Sequence, residues 1–226
     1  MDPNSSLAKL LSPDETAYDM LRRNRNKFPS NFPRFNCPNI DLLSLLKYRP
    51  GILEIEGESG FGKTSLLLSL AAKTAQEGEF VVFVDCDGRL SRERFQAHFV
   101  NKISMTRIIL LQTYSTKDIM SCIFSCLSNG VNIKLLILDS MVALEEFISN
   151  EQFGKGSQFL RIISSLANLH EFVIATSKPT TLEFKTWTQA DISTEIFLSR
   201  PGVGTVRTGN HFEDTHHFEE FNFNLA

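Results

Sequence analysis

Apolar residues in this chain gather into short dense runs separated by amphipathic stretches, and that rhythm sets the first reading of the fold. Ile52-Leu53-Glu54-Ile55-Glu56, Phe80-Val81-Val82-Phe83-Val84, Ile108-Ile109-Leu110-Leu111-Gln112, Lys134-Leu135-Leu136-Ile137-Leu138-Asp139 and Phe172-Val173-Ile174-Ala175-Thr176 each have strand length. Several are apolar at consecutive positions, as in strands covered on both faces. Between them the pattern predicts helices over 65–76, closing near Gly78, and over 91–102, 116–127 and 158–169. Strand and helix in alternation predict a mostly parallel α/β sheet flanked by helices. After residue 190 the rhythm changes. Residues 192–200, 204–209 and 218–223 read as strands joined by short turns, expected as antiparallel additions at the C-terminal edge. Glu54 and Glu56 fit poorly, because they alternate within a strand that the pattern makes central, and the sequence does not say where they point.

Residues 1–36 differ from the core that follows at 37–226. Pro3, Pro13, Pro29 and Pro33 punctuate this arm. Ser12-Pro13-Asp14-Glu15 has the layout of a helix start, with a cap, a first-position proline and acidic residues in the first turn. That helix would end at Arg22-Arg23-Asn24-Arg25-Asn26-Lys27. The cluster reads as a solvated terminus favoured by the helix dipole or as a contact for phosphates or an acidic partner. Phe28, Phe32 and Phe35 follow among prolines, a segment suited to lying against a core or a partner. Residues 41–46 predict a short apolar helix before the turn at Pro50-Gly51.

Composition narrows the possibilities. The 226 residues suit one sizeable domain plus an arm, and 42% hydrophobic with 22% charged content is ordinary for a globular protein. A net charge of −3 leaves no general basic footprint, so any nucleic-acid contact has to be local. Cys37, Cys86, Cys122 and Cys126 show no CxxC spacing, which argues against zinc or a disulfide framework. Cys122 and Cys126 share a predicted helix face as small buried thiols. No apolar run is long enough to span a bilayer and no secretory signal layout opens the chain, so an intracellular protein with no membrane partner is expected.

The most specific chemistry lies at Gly57-Glu58-Ser59-Gly60-Phe61-Gly62-Lys63-Thr64, followed by Ser65, which fits G-x-x-x-x-G-K-[ST]. Its glycines admit turns that a Cβ would forbid, and successive N–H groups then converge on an anion at the positive end of a helix. Lys63 is placed to reach the β- and γ-phosphates and the Thr64 hydroxyl to take a position on Mg²⁺. Strand, glycine-rich loop and helix in that order are the context this motif requires. Asp139 ends an apolar strand beside the loop, as a Mg²⁺ partner or as an aspartate opening a turn. Val84-Asp85-Cys86-Asp87-Gly88 ends the second strand at the same edge, where a carboxylate either orients the attacking water or starts a loop as an Asx turn.

Together these residues resemble the RecA/RadA superfamily, and within it the eukaryotic recombinase paralogues of the short X-ray-repair cross-complementing type that lacks an N-terminal DNA-binding domain. Landmarks fall in family order over about residues 40–200: Pro50-Gly51-Ile52-Leu53-Glu54, the phosphate loop, Phe83-Val84-Asp85-Cys86-Asp87-Gly88, Glu93-Arg94-Phe95, Leu136-Ile137-Leu138-Asp139-Ser140, Ala175-Thr176-Ser177, and Trp187 before Ile196-Phe197-Leu198. The resemblance implies a RecA-like P-loop NTPase core with ATP and Mg²⁺ as cofactors, and Asp87 as the catalytic carboxylate. It implies a nuclear mediator of homologous-recombination repair, working with another recombinase paralogue on single-stranded DNA or the recombinase filament.

Departures from the family pattern shape that expectation. Active recombinases carry Glu where Asp87 falls and a Gln γ-phosphate sensor where Lys178 falls, and their Phe-x-x-Ala oligomerisation motif is absent here, leaving Phe28, Phe32 or Phe35 to substitute. A subunit that binds ATP, hydrolyses it slowly as a weak DNA-dependent ATPase at most, and builds no long homopolymer is implied. The family's two DNA-facing loops correspond to residues 148–157, with Lys155, and 178–190, with Lys178, Lys185 and Trp187. Trp187 reads more simply as packed at the core edge. The competing readings are a stand-alone P-loop enzyme such as a small-molecule kinase, for which no Arg-rich acceptor segment follows the third strand, and a scaffold with a vestigial site.

Overall fold

The computed structural model describes residues 51–91, 95, 105–113, 115–144, 155–180, 192–201, 203–208 and 217–222. The arm at 1–36 with its basic cluster and phenylalanines, the short helix at 41–46, Cys37, most of the helix expected at 91–102, Lys185 and Trp187 lie outside these residues.

Eleven elements carry the described chain. They are β1 (Gly51–Gly57), α1 (Lys63–Gln76), β2 (Phe80–Asp85), β3 (Ile108–Gln112), α2 (Thr116–Ser128), β4 (Ile133–Asp139), α3 (Lys155–His170), β5 (Val173–Lys178), β6 (Ile192–Arg200), β7 (Val203–Thr208) and β8 (His217–Asn222). Each follows from local chemistry. The β2 run FVVFVD and the β4 run IKLLILD are β-branched and apolar at consecutive positions, which suits strands buried on both faces. Helix α2 starts where the Ser115 hydroxyl accepts from the Asp118 N–H at 3.3 Å, an N-cap bond. Helix α1 stops where the Glu79 N–H turns back to the Thr74 carbonyl.

The eight strands form one sheet in the order β3-β2-β4-β5-β1-β6-β7-β8. All pairings from β3 to β6 are parallel, and β6-β7 and β7-β8 are antiparallel. This is a RecA-like α/β core with antiparallel strands at its C-terminal edge. One expectation needs correction: residues 192–200 are not an antiparallel addition but a parallel neighbour of β1. The chain leaves β5 on one side of β1 and returns on the other. Residues 179–191 supply the crossover of about a dozen residues that a parallel pair requires.

Successive side chains of a strand point to opposite faces, so the sheet builds two cores. Leu53, Ile55, Val81, Phe83, Leu135, Ile137, Val173 and Ala175 pack with Leu66, Leu67, Leu70 and Ala71 of α1. Ile52, Val82, Val84, Leu136, Leu138 and Ile174 pack on the other face with Ile119, Ile123 and Cys126 of α2 and with Phe159, Ile163 and Ala167 of α3. Cys122 and Cys126 are buried thiols, as the helix-face reading expects. No described helix is long and apolar enough to cross a membrane.

Close packing sets the cost of small changes in this core. Ile137→Val, at a fully buried position, is expected to cost about 0.5–1.5 kcal/mol in urea unfolding. Phe124→Ala, at a half-exposed position of α2, should stay within about 0.5 kcal/mol of the unsubstituted protein. Equal effects would contradict the placement of these two side chains.

Candidate functional site

The candidate site occupies the carboxyl edge of the sheet, on the face that carries α1. Gly60 and Gly62 take φ of 84° and 98°, a left-handed region that glycine enters without strain. Gly62 is the N-cap residue of α1, with no side-chain cap and no acidic residue in the first turn. The positive end of the helix dipole therefore faces the loop undisguised. A Cβ built on Gly60 would meet nothing within 4 Å, so the tip of the loop is open. Gly57 is glycine for another reason: a Cβ there would stand 2.8 Å from Leu198 Cβ of β6.

Lys63 opens α1, and its Nζ folds back into the loop, donating to the Gly57 carbonyl at 2.6 Å and the Glu58 carbonyl at 2.9 Å. Burial draws this ammonium below the ordinary lysine value, while the charges of Asp139 and Glu58 pull the other way. The cation is thus partly desolvated and already aimed into the cradle of the loop. A phosphate arriving there would meet a charge that water screens weakly.

Asp139 ends β4 and is 7% exposed. Its Oδ1 accepts from Ser177 Oγ at 2.7 Å, and its carboxylate is also hydrogen-bonded to the Thr64 side chain. Burial pushes its carboxyl above the usual aspartate range. The Ser177 and Thr64 hydrogen bonds oppose that shift, and the negative charges of Asp87 and Asp85 add to it. The two residues assigned to a metal from sequence, Thr64 and Asp139, are therefore close enough for the Thr64 side chain to favour the ionised carboxylate. A hydroxyl and a carboxylate are hard oxygen donors, the set that suits Mg²⁺ held by one or two protein ligands and by the phosphates of its nucleotide. Among the described residues no group of three His, Cys, Asp or Glu side chains could hold a metal by itself. These residues fit a nucleotide with its Mg²⁺.

The two aspartates after β2 divide the roles left open by the sequence. Asp85 is buried and saturated: it accepts from the Gly88 N–H, the Leu90 N–H and Gln112 Nε2 at 3.0, 3.1 and 2.8 Å. It holds the turn in shape. Asp87 is presented by that turn, accepts from the Arg89 N–H at 3.0 Å and pairs with the exposed Arg89 guanidinium at 3.4 Å. Burial raises its carboxyl above the ordinary value. Asp87 therefore makes the Asx turn of one reading, and its charge reaches as far as Asp139.

Three features lay beyond the sequence. Ser177 orients Asp139, Asp85 organises the turn beneath Asp87, and Glu54 and Glu56 turn out to face Lys178. Lys178 Nζ stands 2.6 Å from Glu54 Oε1 and 3.4 Å from Glu56 Oε2. Strand alternation carries these three side chains to the α2/α3 face, opposite the phosphate loop and its helix. The cation offered to DNA or to a γ-phosphate is thus already committed to two carboxylates. Of the other two DNA-contact candidates, Lys155 begins α3 with its side chain outside the described residues, and Lys185 lies wholly outside them.

No protein-family model matches the chain. It is similar to the DNA repair and recombination protein RadB of three archaea. Identity is 32% over 102 residues with that of Methanothermobacter thermautotrophicus, covering 42% of this chain and 44% of the relative. It is 29% over 117 residues with that of Methanococcoides burtonii, covering 50% and 51%. With that of Thermoplasma acidophilum it is 28% over 123 residues, covering 52% of each. The chain thus aligns with about half the length of these curated relatives. The likeness supports the RecA/RadA superfamily. It does not single out the eukaryotic paralogues, a narrower resemblance that rests on the motifs alone.

The raised Asp139 carboxyl has a consequence for stability. A carboxyl raised in the folded state binds its proton more tightly there, so the protonated form favours folding and ionisation works against it. The penalty is absent below the ordinary aspartate value of 3.8 and grows as pH rises through the folded value. With Mg²⁺ chelated, Asp139→Asn should melt higher than the unsubstituted protein near neutral pH, with the gap closing on acidification. A gap independent of pH in thermal melts would show that the burial of this charge is not its source.

Proposed function

We propose that this protein binds ATP with Mg²⁺ at residues 57–65 and acts in homologous-recombination DNA repair as a recombinase-like mediator. The observation that carries the nucleotide reading is the convergence of Lys63, Thr64 and Asp139 at the mouth of one glycine-rich loop. The recombination reading is supported by the RadB likeness and by the order of motifs shared with recombinase paralogues. When bound, the nucleotide supplies a triphosphate whose charge Mg²⁺ neutralises. The protein's part would be to cradle it: the amides of 60–65 would meet the phosphates, Lys63 would supply its charge to them, and Thr64 with Asp139 would hold the metal. Ser177 keeps the Asp139 carboxylate turned to that task. Asp87 is the carboxylate placed for water activation, and its engagement with Arg89 accords with slow turnover.

In this reading nucleotide binding sets affinity between subunits, the chain works in the nucleus with another recombinase paralogue, and single-stranded DNA or the recombinase filament is what the assembly acts on. Differential contact of the nucleotide with two subunit arrangements would be the means. Lys63→Ala should weaken ATP binding about tenfold to a hundredfold, the weight of a charge-assisted hydrogen bond of about 1.5–3 kcal/mol. Unchanged affinity by equilibrium titration would remove the site from this loop. Turnover by the purified complex should rise with single-stranded DNA, and phosphate transfer to a metabolite in its absence would point to a small-molecule kinase instead. Asp87→Glu should raise hydrolysis in the partner-bound protein; a flat response would take the catalytic role away from that position.

A further inference from the structure

The ion pairs of Lys178 lie directly behind both halves of the nucleotide site. Glu56 and Lys178 stand opposite each other in the β1-β5 ladder. Glu56 is followed by Gly57, whose carbonyl holds Lys63. Lys178 is preceded by Ser177, whose hydroxyl holds Asp139. Strand alternation sends Gly57 and Ser177 to the α1 face and their neighbours Glu56 and Lys178 to the other. One cluster on the far face therefore fastens together the two strand ends from which the phosphate loop and the metal carboxylate are mounted.

The Lys178 and Glu54 side chains are 22% and 7% exposed, and that of Glu56 is 19% exposed. Thr176, which stands opposite Glu54 in the same ladder, has a buried hydroxyl that meets no partner. It offers Glu54 no hydrogen bond, and among the described residues the same Lys178 ammonium pairs with both carboxylates. The pair is half-buried, and removing its cation would leave the Glu54 carboxylate, 7% exposed, without that charge partner.

Resting on the ATP reading above, we propose that Lys178 is a positioning residue: by clamping Glu54 and Glu56 it aligns the ends of β1 and β5, and so sets the spacing between the phosphate loop and Asp139 without touching the nucleotide. The clamp acts on the geometry that phosphate and metal must satisfy together. It therefore governs the extra affinity that Mg²⁺ confers on ATP more than it governs binding of the metal-free nucleotide.

The test titrates the full-length protein with ATP in Mg²⁺ and again in EDTA, for the unsubstituted chain and for Lys178→Met, Lys178→Arg and the double variant Glu54→Gln/Glu56→Gln. Folding is checked by thermal melts. The unsubstituted protein should gain affinity with Mg²⁺, and Lys178→Met and the double variant should each shrink that gain by about tenfold, a change of about 1.4 kcal/mol. Lys178→Arg should keep it. An intact Mg²⁺ gain in Lys178→Met, even with a lower melting midpoint, would make the cluster a stabilising ion pair only and overturn the proposal. So would a loss in Lys178→Met with none in the double glutamine variant, the mark of a direct phosphate contact. If Lys178→Met does not fold, the triple variant Lys178→Met/Glu54→Gln/Glu56→Gln, which buries no unpaired charge, takes its place; it should lose the Mg²⁺ gain, and retention would overturn the clamp. An unsubstituted protein that binds no ATP would end the nucleotide reading and this inference with it, an outcome visible before any variant is made.

Discussion

A single buried carboxylate joins the parts of this molecule that matter for its chemistry. Asp139 terminates β4, takes the Ser177 hydroxyl from β5 and the Thr64 side chain from the start of α1, and its own backbone carbonyl accepts the Cys86 N–H beyond β2 at 2.6 Å. Three strand ends and one helix start are thereby tied at one point. Burying that charge is unfavourable, and the two side-chain hydrogen bonds offset only part of the cost. A carboxylate held at such a cost is a trade often seen where function and stability compete.

The two faces of the sheet divide the labour. The α1 face carries the loop, Lys63, Thr64, Asp139 and Ser177. The opposite face, under α2 and α3, carries the cluster of Lys178 with Glu54 and Glu56. Because strands are thin, adjacent residues serve opposite faces while sharing one backbone, and a pairing on one side constrains the chemistry on the other. The neighbouring strand β6 is coupled to the loop more directly, since its Leu198 fills the space that any side chain at position 57 would need.

The order of strands and helices, and the loop with its lysine and threonine, were legible in the chain, because apolar periodicity and glycine spacing are local properties. Boundaries fell within one or two residues for β2, β4 and β5, and β3 matched end to end at Ile108–Gln112. The place of Asp139 at the end of its strand was legible too, since it closes an apolar run. What stayed hidden depends on pairing between distant segments. The parallel direction of β6 follows from its pairing with β1, a strand far earlier in the chain, in a register that sets Ile52 beside Ile192. The role of Ser177 follows from β5 lying beside β4, and the position of Glu54 and Glu56 from β5 lying beside β1. No window of sequence contains those neighbours. Taken alone, the sequence determined which residues could cradle a phosphate and in what order the elements come; only the tertiary structure decided which charges face one another, because electrostatic partners are chosen by strand register and sheet face and not by distance along the chain.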